Sequence, residues 1–362
     1  MSGRVYLDWN ATAPLRDEAR AAMIAAMDVL GNPSSVHAEG RAAKAIVERA
    51  RQQVATAFGA DGADVIFTSG ATEAAALALE GRDVRVSPVE HDAVSSWGLL
   101  APQIFAFAEN GTLVPGPHAA EWDPIVALTA ANSETGILTD LAPFAKAAPG
   151  RLVVDATQVF GKRPFAFNWS GAQMAICSAH KLGGPKGVGA LVVKRGTEIV
   201  PRIRGGGQEM GRRSGTENVI GIAGFGAAAE AAQRDLEAGV WDRVEKLRNI
   251  LENGLEAGAN KTIFVGKDAP RLPNTSCLAA PGWKGETQVM QMDLAGFAIS
   301  AGSACSSGKV RASRVLRAMG FDDEVARSAI RVSLGPEVTE EDVLRFVDAW
   351  CAKQKKFRAR TA

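Results

Sequence analysis

Lys181 stands in Ser178-Ala-His180-Lys181-Leu-Gly-Gly-Pro-Lys-Gly187, beside an imidazole and a hydroxyl, with a Gly/Pro-rich loop after it. Asp155 ends the apolar run Leu152-Val-Val-Asp155, 26 residues earlier. An amine and a carboxylate so spaced suit Schiff-base chemistry, the amine reaching C4′ of a pyridine ring whose nitrogen pairs with the acid. Each residue also has a plainer reading, a solvated loop lysine and a helix N-cap aspartate. Thr68-Ser-Gly-Ala-Thr72 has the form of an anion site, because small residues let backbone N–H groups approach a phosphate at a helix start. It also reads as an ordinary strand–helix turn. Cys305 lies in Ser300-Ala-Gly-Ser-Ala-Cys-Ser-Ser-Gly308, where no neighbour has the bulk to bury it. Nearby Lys309 and Arg311 favour the thiolate, the reactive form. Cys177, Cys277 and Cys351 read instead as small buried hydrophobes.

Positioning such groups requires a scaffold, and the apolar pattern supplies one. Val65-Ile-Phe67, Val126-Ala-Leu128, Leu152-Val-Val154 and Ala190-Leu-Val-Val193 read as buried strands. Helices are predicted through Leu15, Ala19, Met23, Met27 and Leu30, through Ile46, Ala50, Val54 and Phe58, and over Glu73–Leu79. The alternation implies an α/β fold with a mostly parallel sheet covered by helices on both faces. Near residue 240 the organisation changes. A helix with Val244, Leu247, Leu251 and Leu255 ends at Gly258, and Thr262–Val265 and Arg331–Leu334 read as strands. A last helix starts at the capping pattern Thr339-Glu-Glu-Asp342. The tail from Lys353 carries five basic residues and no acid, and reads as a frayed, solvated end. Gly224-Phe-Gly-Ala-Ala-Ala229 fits GxGxxA without a strand before it, so it reads as a packing helix and not a dinucleotide site.

Composition narrows the function further. With 362 residues and a net charge of +1, the chain is long enough for two domains and lacks the basic excess of nucleic-acid binders. The four cysteines contain no CxxC pair, which argues against a structural zinc site and leaves no metal expected. No apolar run is long enough for a membrane span, and no basic-then-apolar leader opens the sequence, so a cytoplasmic enzyme is expected.

Taken together, the motifs resemble the cysteine desulfurases, in the class V aminotransferase group of fold-type-I pyridoxal-phosphate enzymes. The resemblance runs from Leu7-Asp-Trp-Asn-Ala-Thr to Arg331-Val-Ser-Leu-Gly335. Between them come Asn32-Pro-Ser-Ser, Ser69-Gly-Ala-Thr-Glu73, Glu90-His91, Asn132-Ser-Glu-Thr-Gly136 and Asp155-Ala-Thr-Gln158. Ser178-Ala-His-Lys181, Gly205-Gly-Gly-Gln-Glu, Arg213-Ser-Gly-Thr216 and Ser303-Ala-Cys305 complete the series. The resemblance implies a large cofactor domain over 15–240, and a smaller α+β domain from 1–14 and 241–362 carrying the Cys305 loop and Arg331. It implies pyridoxal 5′-phosphate bound covalently to Lys181, which then moves the substrate Cα proton. Asp155 would pair with the ring nitrogen, Gln158 with the ring oxygen, and His91 would stack on the ring with a second, catalytic role in proton transfer. Ala71, Thr72, Ser178 and His180 would hold the phosphate, with Thr216 supplied across a homodimer interface. Asn132 and Arg331 would clamp the substrate carboxylate, a role that suits a guanidinium's two parallel donors. Cys305 would take the sulfur of L-cysteine as a persulfide, release alanine, and pass the sulfur to an acceptor protein for iron–sulfur cluster assembly or thiolation. Rival readings are a selenocysteine lyase or aminotransferase on the same scaffold, and a non-catalytic sulfur-assembly scaffold.

Overall fold

The computed structural model describes residues 3–101, 103–117, 124–259, 261–302 and 312–361. Its centre is a seven-stranded sheet in the order Asp64–Thr68, Gly189–Val193, Met174–Ser178, Leu152–Asp155, Ile125–Thr129, Val84–Val86, Leu99–Leu100. Gly189–Val193 runs antiparallel to both neighbours, and the other pairings are parallel. The register therefore lines up Thr68, Ser178 and Gly189, and places Asp155 beside Thr129 and Ile176. Carboxyl ends of parallel strands gather at one edge, which is where open α/β sheets bind ligands. Buried, continuous apolar strands such as Leu152–Asp155 and Met174–Ser178 follow from helices covering both faces.

The helices Ala38–Ala57 and Val219–Glu237 pack closely because Gly226 leaves no side chain between them. A Cβ there would come within 2.7 Å of Ala50 Cα. The GxGxxA run is thus spent on helix packing, and Asn218 caps the helix by accepting the Gly221 N–H at 3.0 Å. The first predicted helix spans Asp17–Met27 and stops short of Leu30. Of its expected apolar stripe only Ala19 is buried, whereas Met27 and Leu30 are exposed, as is the neighbouring Ile24.

A second sheet is antiparallel throughout, in the order Ile263–Phe264, Thr275–Ala279, Ala329–Ser333, Ser300–Ala301. Beside it an apolar cluster joins Val5, Leu7 and Trp9 from the N-terminal segment to Trp241, Leu251, Trp283 and Trp350. Asp8 bridges to Ser333, so the N-terminal segment runs along this sheet toward the edge of the first.

The chain's end corrects one expectation. The helix Glu340–Thr361 continues through the basic tail, where a frayed end was expected. Gln354 and Phe357 extend the stripe of Phe346 and Trp350 at helical spacing, which gives the tail a face to bury. Phe357 stacks on Trp283 with ring centres 5.8 Å apart, and Gln354 is buried. At the helix's other end Thr339 and Asp342 exchange the bonds of the predicted cap.

Candidate active site

At the carboxyl edge of the large sheet lies a cavity of about 580 Å³. Asp155, Gln158, Ser178, His180 and Lys181 line it, with Ala71, Thr72, His91 and Arg331. Nine of the expected site residues are therefore brought together around one space. Lys181 enters from a short turn after the strand Met174–Ser178, and its Nζ donates to the carbonyls of Asn10 (2.8 Å) and Ala11 (2.7 Å). Asp155 is buried at its strand's end, and its Oδ1 accepts the Thr157 N–H at 2.9 Å. Gln158, on the turn that follows, donates from Nε2 to the Asn10 carbonyl at 2.9 Å.

The helix Ala71–Leu79 begins two residues earlier than its apolar pattern suggests, so Ala71 and Thr72 form its first turn. The first N–H groups of a helix have no intrahelical partner and carry the positive end of its dipole. Lys186 lines the same cavity, adding a cation that suits an anion there. Glu73 ties this turn to the 205–216 segment. It accepts from the Ser69 N–H at 2.7 Å and pairs with Arg213 at 2.8 Å. Burial pushes the Glu73 pKa upward, and the Arg213 and Ser69 hydrogen bonds outweigh it, leaving the carboxyl below its usual range. Glu209, at φ 48°, sits in left-handed backbone, and its carboxylate takes Arg51 at 2.7 Å and the Phe67 N–H at 3.0 Å. Those bonds hold the strained 205–211 turn against the strand leading to Thr68.

The two histidines differ. His180 Nδ1 meets the Thr12 hydroxyl at 3.1 Å, and burial, with Lys181, Lys186 and Lys162 nearby, pulls its pKa down to about 4. It is a neutral ring at pH 7. His91 caps the helix Asp92–Ser95, its Nδ1 accepting the Ala93 N–H at 3.1 Å, which assigns the ring proton to Nε2.

Two expected residues stand apart from the cavity. Asn132 is not among the lining residues. Its Oδ1 accepts the N–H groups of Glu134 (2.9 Å) and Thr135 (2.8 Å), and its Nδ2 donates to the Val89 carbonyl at 3.0 Å. Thr216 is exposed and does not reach this chain's own cavity. Cys305 lies outside the described residues. Arg331 is buried, donating to the Ser133 carbonyl at 2.9 Å and pairing with Asp8 at 2.8 Å, while Ser300 donates to the same Asp8 oxygen.

The sequence model of the class-V aminotransferase family matches residues 5–346. A cysteine desulfurase of Klebsiella pneumoniae is 41% identical over 360 residues, covering 94% of this chain and 90% of that one. The chain belongs to the cysteine desulfurases of this family. A relative named cysteine desulfurase IscS, from Dictyoglomus turgidum, is 36% identical, covering 96% of this chain and 94% of its own. Among solved structures, a NifS-like protein from Rickettsia africae superposes with TM-score 0.86 at 31% identity, covering 96% of this chain and 98% of that one.

Several site residues of this desulfurase escaped the sequence reading. Asn10, Ala11 and Thr12 line the cavity, and Asp8 pairs with Arg331. Their only signal was the Leu7–Thr12 run, noted without a role. Glu90 appeared only as a member of the Glu90-His91 motif, without a role, and Lys162 had no signal in the sequence. Among the described residues no cluster of histidine, cysteine or acid could hold a metal ion, and no helix is long and apolar enough to cross a membrane.

Glu90 makes its own prediction. Its carboxyl is fully buried. Oε1 takes the Ser87 hydroxyl and, at 2.8 Å, the Thr129 N–H, while Oε2 has no partner among the described residues. Burial, reinforced by Asp155, pushes its pKa from 4.5 up to about 8 despite those donors and His91. A carboxyl raised in the fold gives its full stability below the unfolded pKa and loses it as pH rises through the folded one. Glu90→Gln removes that dependence, so the wild type should lose stability relative to the variant between pH 4.5 and about 8. Urea unfolding of both across this range is the measurement, and parallel pH profiles would refute it.

Proposed function

We propose that the chain converts L-cysteine to L-alanine with pyridoxal 5′-phosphate as cofactor, leaving the sulfur as a persulfide on Cys305. The observation that carries this reading is the meeting of Lys181, Asp155 and the first turn of Ala71–Leu79 around one cavity. Those residues fit the cofactor chemically. They offer an amine for its aldehyde, a buried carboxylate for its ring nitrogen, and open N–H groups beside Ser178 and Lys186 for its phosphate. When bound, pyridoxal phosphate supplies a ring that accepts electron density from the substrate Cα.

The chain's own residues do the rest. Lys181 would hold the cofactor through its amine and would serve as the base for the substrate Cα proton. Asp155 would keep the ring nitrogen protonated, Gln158 would donate to the ring oxygen, and His91 would stack on the ring. Ala71, Thr72, Ser178 and the neutral His180 hold the phosphate. Thr216, turned away from its own cavity, completes that of a second copy in a homodimer. The exposed apolar residues Ile24, Met27 and Leu30 support such an interface. Arg331, with Asn132, receives the substrate carboxylate. The Cys305 thiolate attacks the substrate sulfur, the C–S electron pair stays with the substrate carbon, and a proton delivered there completes alanine. We assign residues 15–240 to a cofactor domain, and 1–14 with 241–362 to a smaller one. An acceptor protein then takes the sulfur, for cluster assembly or thiolation, in the cytoplasm.

The test is to load the purified chain with pyridoxal phosphate, add L-cysteine and a thiol reductant, and quantify alanine and sulfide. Equal yields of both are expected. A cofactor-loaded chain that forms no alanine would overturn the reading.

Arg331 sharpens it. Lysine keeps the charge but is a point donor, unable to serve Ser133, Asp8 and a carboxylate together. Arg331→Lys should raise KM for L-cysteine about 10–100-fold, the worth of one hydrogen bond to a charged group. An unchanged KM in steady-state alanine formation would remove Arg331 from the clamp.

A further inference from the structure

Lys162 is one of the largest fully buried side chains, only 1% exposed, yet no ion pair holds it among the described residues. Lysine is almost never buried this completely without a partner charge. Instead, its Nζ meets two neutral amide oxygens, Gln158 Oε1 at 2.7 Å and Asn10 Oδ1 at 3.1 Å. Both amides belong to the cavity wall. Asn10 is further fixed by Asn274, which donates to its Oδ1 at 3.2 Å, and by Thr275, whose Oγ1 accepts from its Nδ2 at 2.8 Å.

An amide has a donor end and an acceptor end of nearly the same shape, and its neighbours decide which faces where. An amine donating at 2.7 Å fixes oxygen as the end of Gln158 that faces Lys162. Nε2 must then point the other way, one N–H going to the Asn10 carbonyl at 2.9 Å. That carbonyl also receives Lys181 Nζ, so both lysines lean on one residue of the N-terminal segment.

We propose that Lys162 is a positioning residue, whose buried amine locks Gln158 with its N–H end toward the cavity and holds Asn10 where Lys181 rests. The assignment rests on the cofactor reading of Gln158 above. Burial foremost, then Lys181 and Arg331, holds the Lys162 pKa well below the lysine range. Two acceptors face the amine, so a single buried group fixes both amides at once. Without it the Gln158 amide is free to turn its oxygen inward, and the ring oxygen of the cofactor loses its donor.

The experiment is the absorption spectrum and affinity of added pyridoxal 5′-phosphate in the full chain, beside the thermal melt of the cofactor-free protein. Lys162→Met should displace the visible band and weaken cofactor binding about tenfold, one charge-assisted hydrogen bond's worth. Gln158→Leu should displace the band by a similar amount, and the double variant should add little more, since both act through one contact. Lys162→Gln, which retains an N–H donor, should stay near the wild-type band. Where Lys162→Met fails to melt cooperatively, Gln158→Glu reads the same contact with the lysine in place and should displace the band likewise. A wild-type band in Lys162→Met, or additive displacements in the double variant, overturns the assignment alone. A wild-type chain that shows no visible band overturns the cofactor reading and this assignment together.

Discussion

Lys181→Ala is expected to lower alanine formation from L-cysteine by about 10⁴-fold or more, because it removes both a covalent anchor and a general base. The chain should still fold. Lys181 is only partly buried, and its amine bonds to backbone carbonyls that water can serve in its absence. Pyridoxal phosphate should still bind the variant through Asp155 and the Ala71–Leu79 turn, but borohydride should no longer fix it to the protein. This separates the two jobs of one amine. Turnover within tenfold of wild type would mean that another base moves the Cα proton. Lys162 is another amine near Lys181, but it is spent on Gln158 and Asn10. Persistent borohydride labelling would instead move the anchor elsewhere.

What could be read from the sequence follows from how locally each feature is encoded. Leu152–Asp155 was legible because an apolar run followed by an acid has few meanings in an α/β chain. Lys181 gained its meaning from the motif series, since spacing alone also allowed a surface lysine. The helix Ala71–Leu79 starts earlier than its periodicity suggests because Ala71 and Thr72 add little to the apolar pattern, although this first turn is the part that lines the cavity. Met27 and Leu30 kept a helical spacing without a core to face, so periodicity overstated that helix. Asp8, Asn10 and Lys162 were illegible for another reason. Their partners, Arg331, Thr275 and Gln158 among them, are chosen by tertiary contact, and Asp8 and Arg331 lie 323 positions apart. Such an aspartate looks like a turn residue until the sheet brings its arginine alongside. The basic tail shows charge more plainly than spacing. Gln354 and Phe357 recur at helical intervals from Trp350, and burial of that face decided the conformation.

Cys305→Ala should lower alanine formation by about 10³-fold or more, since it removes the nucleophile and leaves the acid–base machinery intact. In deuterated water with pyridoxal phosphate bound, the variant should still exchange the Cα hydrogen of L-cysteine, which Lys181 performs unaided. Exchange without alanine separates proton transfer from sulfur transfer. The other thiols cannot substitute. Cys177, Cys277 and Cys351 are all buried, and burial pushes the first two up to about 12, far from thiolate at neutral pH. Cys177 donates to the Ala190 carbonyl inside the large sheet, and Cys277 lies opposite Arg331 within the second one. Iodoacetamide should accordingly label one residue in the native wild type and none in Cys305→Ala, as read by intact mass. Labelling of Cys177 or Cys277 in the folded chain would mean that the sheets open enough to expose them. Unchanged sulfide release by Cys305→Ala would instead assign the bond breaking to elimination from the substrate, with no thiol of the protein attacking the sulfur.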